Sequence, residues 1–413
     1  MTAKHFVFLQ GMPSPFFTRI GNDLAARGHR VTGVNLCFGD WYFWKGPAAI
    51  NYRGTRRGWP AFIGRLFERE GVTDLVLLGE QRAYHKVAIA EAKKRGVRVT
   101  VTDFGYLRPD WVTLEADGMG GNSLFPRDLA TIRRLAEGAP VPRPGSRFAD
   151  SFRTMAIGDL IYSFGNILFA WAFPFYRRSD KRANPFVYFP FMARRLMTTK
   201  ARQREAAELM ARMIAEKRRF FFFPLQLEHD FQVVAYSPFA DLREPLRRVI
   251  ASFARHAAAD DWLMIKPHPW DPGLRNWRKL TRRFAAEHGV ADRVAFIDGG
   301  VLGETTRASV GMVTVNSTSG VTALEVGRPL KVLGQAVYDI PGLAFQGSLD
   351  AFWQKATPPA AADVQAFLAA MAATIQIRGT FFSEPGLGAA TRIAAERLDA
   401  GLVAQRLIAK ERP

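Results

Sequence analysis

Two segments of this 413-residue chain combine residue types and spacings suited to anion chemistry: Lys266-Pro267-His268-Pro269 and Asn316-Ser317-Thr318-Ser319-Gly320. In the first, prolines on both sides of His268 stiffen the loop and fix the direction of the imidazole. A ring held in this way donates to a phosphate or carboxylate. In the second, hydroxyls and free backbone N–H groups at a helix start form an anion site. Glu325 follows, ahead of Gly327-Arg328-Pro329, placed to reach the ribose hydroxyls of a nucleotide. Each segment alone has a plainer reading, a rigid loop with an idle surface histidine or an ordinary N-cap. The combination on successive sheet edges is more specific and reads as a sugar-nucleotide site. The chain has no GxGxxG fingerprint and no GxxxxGK[ST] loop, so dinucleotide and ATP or GTP readings lose ground.

The first half of the chain offers three further segments. Gln10, Gly11 and Ser14 stand between a first strand and a first helix, where backbone can approach a substrate. Asp103 ends another strand beside Gly105, in a run that continues through Tyr106, Arg108 and Asp110. A carboxylate there is placed to act as nucleophile or base, since glycine lets a substrate close in; the plainer reading is a turn cap. Arg82 and His85, with Glu80, follow a third strand and either bind an acidic acceptor or form a solvated helix start.

Short apolar runs alternating with helices must position these segments, which is the signature of a parallel, doubly wound sheet. Strands are expected at His5–Leu9, Arg30–Asn35, Asp74–Leu78 and Arg98–Thr102, then at Arg219–Leu225, Trp262–Lys266, Val294–Ile297, Val310–Val315 and Leu330–Leu333. Helices are expected at Phe16–Arg27, Pro60–Glu70, Ala83–Arg95, Leu242–Ala258, Trp277–His288 and Ser319–Val326. The expected class is α/β: two Rossmann-like domains facing a cleft, the glycosyltransferase B architecture, with a helical, aromatic-basic insertion. The boundaries read as 1–145 for an N-terminal acceptor domain, 146–217 for the insertion, 218–355 for a nucleotide-sugar domain and 356–413 for a helical tail. Fold alone does not establish function.

Fifty-seven Lys and Arg against 38 Asp and Glu give a formal charge of +19, on a chain that is 48% hydrophobic. There is ample apolar material for a core, which excludes a disordered or collagen-like chain. The charge calls for a polyanion, an acidic substrate or an anionic membrane leaflet. The single cysteine, Cys37, excludes a disulfide framework or a Cys-based zinc site and fits a reducing cytoplasm. Near the N-terminus the apolar run Phe6–Leu9 is too short for a signal peptide and reads as the first strand. From Leu160 to Tyr176 there is no charge, and large apolar residues dominate. The stretch falls just short of the roughly 18–20 residues of a membrane-crossing helix. Arg177, Arg178, Lys181 and Arg182 follow, then Phe186-Val-Tyr-Phe-Pro-Phe, then Arg194, Arg195, Lys200, Arg202 and Arg204. Rings interleaved with cations suit a membrane-interface segment, in which Trp171 and Phe175 sit at headgroup depth and Arg177, Arg178, Arg194 and Arg195 meet anionic lipid. A buried inter-domain helix with a solvated basic flank is the alternative.

FLQGMPSPFF, VNLCFGDWYFW, LGEQRAYHKVA, TDFGYLRPDWVTLE, KPHPWD, NSTSG and VYDIPGLAFQGSLDAFW together resemble the KpsS-type capsule polysaccharide proteins, in the same order from about Phe6 to Trp353. The resemblance implies a membrane-associated, retaining β-Kdo transferase of Gram-negative bacteria. Such a protein uses CMP-Kdo to place the first 3-deoxy-manno-octulosonic acid (Kdo) on a phosphatidylglycerol-type lipid, which starts the linker needed for capsule export. Older naming describes these proteins as capsule export or modification proteins. Carried onto this chain, the resemblance assigns His268, Pro269, Ser317, Thr318 and Ser319 to CMP-Kdo; the neighbouring Lys266 and Asn316, with Glu325, complete the expected donor site. It implies as partners a sugar nucleotide, an anionic phospholipid, the inner-membrane surface on its cytoplasmic side and other capsule-assembly proteins. Family members commonly read Glu-Glu-Gly-Tyr where this chain reads Asp103-Phe104-Gly105-Tyr106, so one carboxylate stands in place of two. Asp103 is expected to take the acid's role, with Asp110 as the fallback and His268 steadying the departing phosphate. No motif demands a metal or a resident cofactor.

Two rival readings remain. A non-catalytic capsule assembly or export factor is motivated by the single acid. A nucleic-acid-binding protein is motivated only by the charge, and no nucleic-acid module is legible.

Overall fold

His5-Phe6-Val7-Phe8 and Phe220-Phe221-Phe222-Phe223 are short runs in which every side chain is buried, the pattern of a strand covered on both faces. Each is the founding strand of its own sheet. In the computed structural model the described residues are 3–143, 145–178, 183–228 and 230–403. Residues 3–125, 135–178 and 368–403 form one unit, and residues 126–134 and 183–367 form the other. Lys181 and Arg182 of the expected basic flank, and the last ten residues of the expected tail (404–413), lie outside the described residues.

The strands are β1 His5–Phe8, β2 Arg30–Asn35, β3 Ala49–Asn51, β4 Asp74–Leu78, β5 Arg98–Phe104, β6 Trp111–Ala116, β7 Phe220–Pro224, β8 Trp262–Lys266, β9 Val294–Phe296, β10 Gly311–Thr314, β11 Leu330–Val332 and β12 Gln376–Arg378. In the first unit the order is β12-β6-β5-β4-β1-β2-β3, parallel from β5 to β3. β6 and β12 add antiparallel. In the second unit the order β11-β10-β7-β8-β9 is parallel throughout. Both sheets reverse winding direction beside their first strand, between β1 and β4 and between β7 and β10, and ligands of open α/β sheets bind outside the carboxyl ends at such points. The expected α/β class and its nine strands are present. Three strands went unread: β3 and β12 are three residues long, and β6 pairs back on β5 across a tight connection.

The chain is partitioned differently from the boundaries at 145, 217 and 355. The Phe152–Leu168 helix belongs to the first unit, whereas the Pro185–Met197 and Thr199–Ala215 helices belong to the second. The tail is not purely helical. Its β12 pairs Ile377 with Val112 of β6, and the Gly386–Ala400 helix buries Leu387, Ala390, Ala394 and Leu398 in the first unit's core. Among the described residues no helix is long and apolar enough to cross a membrane.

Candidate active-site residues in the two units

Lys266 ends β8, and its loop is held at several points. His268 Nδ1 accepts from the Trp270 N–H at 3.1 Å, and the His268 carbonyl accepts from the Asp271 N–H at 3.0 Å. An Nδ1 that accepts carries no proton, so in the neutral ring the proton sits on Nε2. Asp271 in turn accepts from the Gly273 N–H and the Trp277 indole, both at 2.7 Å. Lys266 is buried, its ammonium on the Gly299 carbonyl. Burial pulls its pKa down to about 8, with Asp298 opposing and Arg195 and Arg202 adding to the fall.

Arg195 corrects an expectation. Its guanidinium is only 10% exposed and pairs both nitrogens with Asp298, at 2.8 and 3.2 Å. It also donates to the carbonyls of His268 at 3.4 Å and Pro269 at 3.2 Å. Arg202 adds a bond to Asp298 at 3.1 Å and one to the Arg195 carbonyl at 2.7 Å. Arg195 is therefore a clamp on the His268 loop and is not offered to lipid. Arg194, next to it, is exposed.

After β10, Asn316 is buried and committed inward: its carbonyl accepts from Gln226 at 2.9 Å and its amide donates to the Tyr236 carbonyl. Gln226, at the carboxyl end of β7, was not singled out. Ser317 Oγ accepts from the Ser319 N–H at 3.2 Å, and the Tyr338 hydroxyl donates to the Ser317 carbonyl. The Ser319–Glu325 helix is seven residues long, and Thr318 at its N-cap makes no side-chain cap. Ser319 Oγ is buried with no partner among the described residues. Glu325 is exposed at the last residue of that helix.

In the first unit the carboxyl ends of β5, β4, β1 and β2 assemble a second polar group. Asp103 is half-buried and accepts from the Phe104 N–H at 2.7 Å. Burial raises its pKa above the usual carboxylate range, against the pull of Arg82 and Arg108. Gln10 is 3% exposed and donates to Asp40 at 3.3 Å, Tyr162 at 3.1 Å and Tyr176 at 3.4 Å. Tyr162 donates to Asp40 at 3.0 Å, and Cys37 Sγ lies 3.3 Å from the Tyr162 hydroxyl. Asp40 also accepts from the Leu36 N–H at 3.0 Å. Burial pushes its pKa up while Arg82 pulls it down, so one guanidinium acts on both Asp40 and Asp103.

Expectations for six residues in this unit change. Asp110 is 0% exposed and accepts from the N–H groups of Arg147 and Phe148 and from Arg378 at 3.0 Å, so it braces the fold and is no fallback acid. Tyr106 is buried, donating to Glu115 at 2.7 Å and accepting from the Gly120 N–H. Gly105 admits backbone and not substrate, since a Cβ there would stand 2.6 Å from the Trp111 carbonyl carbon. Gly11 lies against Phe17, where a Cβ would be 2.7 Å from the ring, and the buried Ser14 accepts from the Phe16 N–H at 3.3 Å. His85 is fully buried, Nδ1 on the Gly79 carbonyl at 2.7 Å; burial and Arg82 lower its pKa to about 3, so it carries no charge for an acidic acceptor. Arg82 is partly exposed and Arg108 is exposed.

A family profile described as capsule polysaccharide biosynthesis protein matches residues 73–382. The chain belongs to this family. It is 30% identical over 359 residues to the capsule polysaccharide export protein KpsS of Escherichia coli, covering 86% of this chain and 90% of that one. It is 32% identical over 394 residues to the capsule polysaccharide modification protein LipB of Neisseria meningitidis serogroup B, covering 93% of each. Among solved structures it resembles the Thermosulfurimonas dismutans KpsC β-Kdo 2,7 transferase at 12% identity and a TM-score of 0.46, covering 99% of this chain and 100% of that one.

Two of the residues missed in this capsule-family chain share a cause. Tyr162 and Tyr176 lie in the uncharged stretch that reads as membrane interface, yet their hydroxyls join Gln10 and Asp40. The helix docks through a bond from the Gly39 N–H to Asn166 at 2.8 Å and a stack of Phe38 on Phe169 at 4.3 Å. Gly39 is required there, since a Cβ would stand 2.2 Å from the Tyr162 ring. The other face stays outside: Trp171 is 77% exposed, Leu168 70% and Phe175 48%, with Arg177 and Arg178 exposed after them. Polar residues spaced within that apolar run (Tyr162, Asn166, Tyr176) were the available signal.

Proposed function

We propose that this capsule-family protein is a glycosyltransferase that moves the first Kdo from CMP-Kdo to a phosphatidylglycerol-type lipid, with retention, at the cytoplasmic face of the inner membrane. The observation that carries the reading is the loop after β8, where His268 has its proton on Nε2 and is locked by two prolines, Asp271 and Arg195. As CMP departs, charge develops on its phosphate, and preorganised donors aimed at such charge are the largest single contribution in many enzymes. His268 and Lys266 supply them, which favours transfer without a metal. Ser317, Thr318 and Ser319 bind the phosphate side, and Glu325 takes the ribose hydroxyls.

Retention needs a carboxylate nucleophile or a front-face route. In the nucleophile route an oxygen of Asp103 bonds to the anomeric carbon as the bond to CMP breaks. A lipid hydroxyl then displaces Asp103, its proton passing to solvent. Exposed Trp171, Leu168 and Phe175, with Arg177 and Arg178, support docking on an anionic bilayer, and Trp41 and Tyr42, 44% and 40% exposed, extend that apolar surface beyond the expected segment. One observation favours a non-catalytic assembly or export role instead: Phe104, at the position next to Gly105, packs its ring on Phe381 at 5.2 Å.

Purified protein with CMP-Kdo and a fluorescent phosphatidylglycerol decides between them. A lipid product one Kdo heavier by mass spectrometry, lost in His268→Ala and insensitive to EDTA, is expected. Tight CMP-Kdo binding with no product would establish the non-catalytic reading.

A further inference from the structure

At the carboxyl ends of β8 and β9, beside Pro267, the second unit holds an open pocket of about 320 Å³. Five arginines line it, of which Arg195 and Arg202 are committed to Asp298. Arg275 lies over the Trp277 ring at 5.6 Å and pairs with Glu228; Arg278 lies over the Phe296 ring at 5.3 Å and pairs with Glu205 at 2.6 Å. Burial holds the remaining wall carboxyl, Asp271, above the usual carboxylate range. Arg194 has no ion-pair partner among the described residues. The wall thus carries more guanidinium charge than its carboxylates neutralise, in a form suited to phosphate oxygens.

The rim has a second property. Arg194 follows Phe191, which also lines the cavity, by one helical turn, and Val187 precedes Phe191 by another, so the three share a helix face. Val187 and Phe191 are 45% and 38% exposed, and Phe186 and Met197 on the same helix are 65% and 78% exposed. A nucleotide does not explain this apolar flank. The hydroxyl turn and Glu325 stand after β10, separated from β8 and β9 by β7 in the sheet order. A phosphate that carries hydrocarbon explains both features.

We propose that this cavity binds the phosphate headgroup of an anionic phospholipid, with Arg194, Arg275 and Arg278 on the phosphate and the acyl chains leaving over Phe191 and Val187. The proposal rests on the reading of a phospholipid acceptor and adds to it a defined headgroup site on the second unit.

The test measures binding, so it does not require turnover. Full-length protein is titrated with dihexanoyl phosphatidylglycerol below its micellar concentration, with inorganic phosphate and with CMP. Wild type, Arg194→Glu and Arg278→Glu are compared, their unfolding midpoints serving as a check on folding. Arg194 is exposed and has no ion-pair partner among the described residues, so its variant remains decisive if Arg278→Glu fails to fold. A lipid Kd raised at least tenfold in Arg194→Glu with CMP affinity unchanged is the expected result. Unchanged lipid binding overturns the proposal. So does a parallel fall in CMP affinity, which makes the cavity a nucleotide pocket. Inorganic phosphate binding as tightly as the lipid overturns it as well. Arg194-dependent lipid binding by a protein that transfers no Kdo leaves the headgroup site standing and removes only the transferase reading.

Discussion

His268 and Asp110 both lie in runs that read as chemistry, each beside a sheet edge, and the two units treat them in opposite ways. In the second unit His268 stays half-exposed on a loop whose shape two prolines largely dictate. In the first unit Asp110 disappears into the fold, 0% exposed, holding two backbone N–H groups and an arginine 268 positions away. Tyr106 and His85 follow Asp110 into the interior, while Ser317 stays partly exposed and Glu325 exposed. Where covalent geometry sets the direction of a side chain, a short motif keeps it at the sheet edge. Where tertiary packing sets it, the same residue types become braces.

The sharpest way to break that contrast lies within the first unit. Asp103→Asn should lower Kdo transfer about a thousandfold or more, the scale of losing a nucleophile or base, with little change in unfolding midpoint. Asp110→Ala should do the reverse. It leaves Arg378 without its carboxylate and two backbone donors without their acceptor, at a cost of about 3–5 kcal/mol in denaturant unfolding, with residual folded protein still active. Swapped outcomes would make Asp110 the acid and Asp103 the brace.

The second contrast tests the clamp. Arg195→Ala should cost about 3 kcal/mol of stability. It should also raise the donor KM roughly tenfold, as loss of about one charge-assisted hydrogen bond does. Hydrogen exchange at the Trp270 and Asp271 amides should speed up, because both bond to His268. Protected amides in the variant would mean that the prolines alone hold the loop. A milder effect concerns Lys266. Its ammonium is lost as pH rises through about 8, so donor KM should be flat below that pH and rise up to about tenfold per unit above it. Lys266→Gln should start weaker and show no such rise; a rise retained in the variant assigns it to another group.

How much could be read in advance follows the same division. All nine expected strands form, because a buried parallel strand is a continuous apolar run, and His5–Phe8 and Phe220–Pro224 announce themselves by composition. β12 did not: Gln376-Ile377-Arg378 is three residues, and its partner is β6, more than 250 positions away. Donor-side candidates were legible because each is carried by a local motif. Gln10 was legible, but not the company it keeps, since Asp40, Tyr162 and Tyr176 meet it only when the Phe152–Leu168 helix docks. The uncharged stretch was read for its exposed face, and its inward hydroxyls were hidden by the same apolar neighbours.

The smallest effect tests that docking network. Burial raises the pKa of Asp40 above its ordinary 3.8, so the folded state holds the proton more tightly than the unfolded chain does. The sign follows: the stability Asp40 contributes is complete below its ordinary value and is lost as pH rises through the raised one. Asparagine imitates the protonated acid at every pH. At pH 5, Asp40→Asn should stay within about 1 kcal/mol of wild type in urea unfolding, since one hydrogen bond is weakened and none is left charged. As pH rises and wild type comes to bear a buried carboxylate, the variant should come to match or slightly exceed it. A loss of more than about 3 kcal/mol at pH 8 would show that Asp40 works ionised, paired with Arg82. Asp40 and Asp103 would then share one guanidinium, and Asp103 could not be altered without disturbing the docked helix that precedes Trp171.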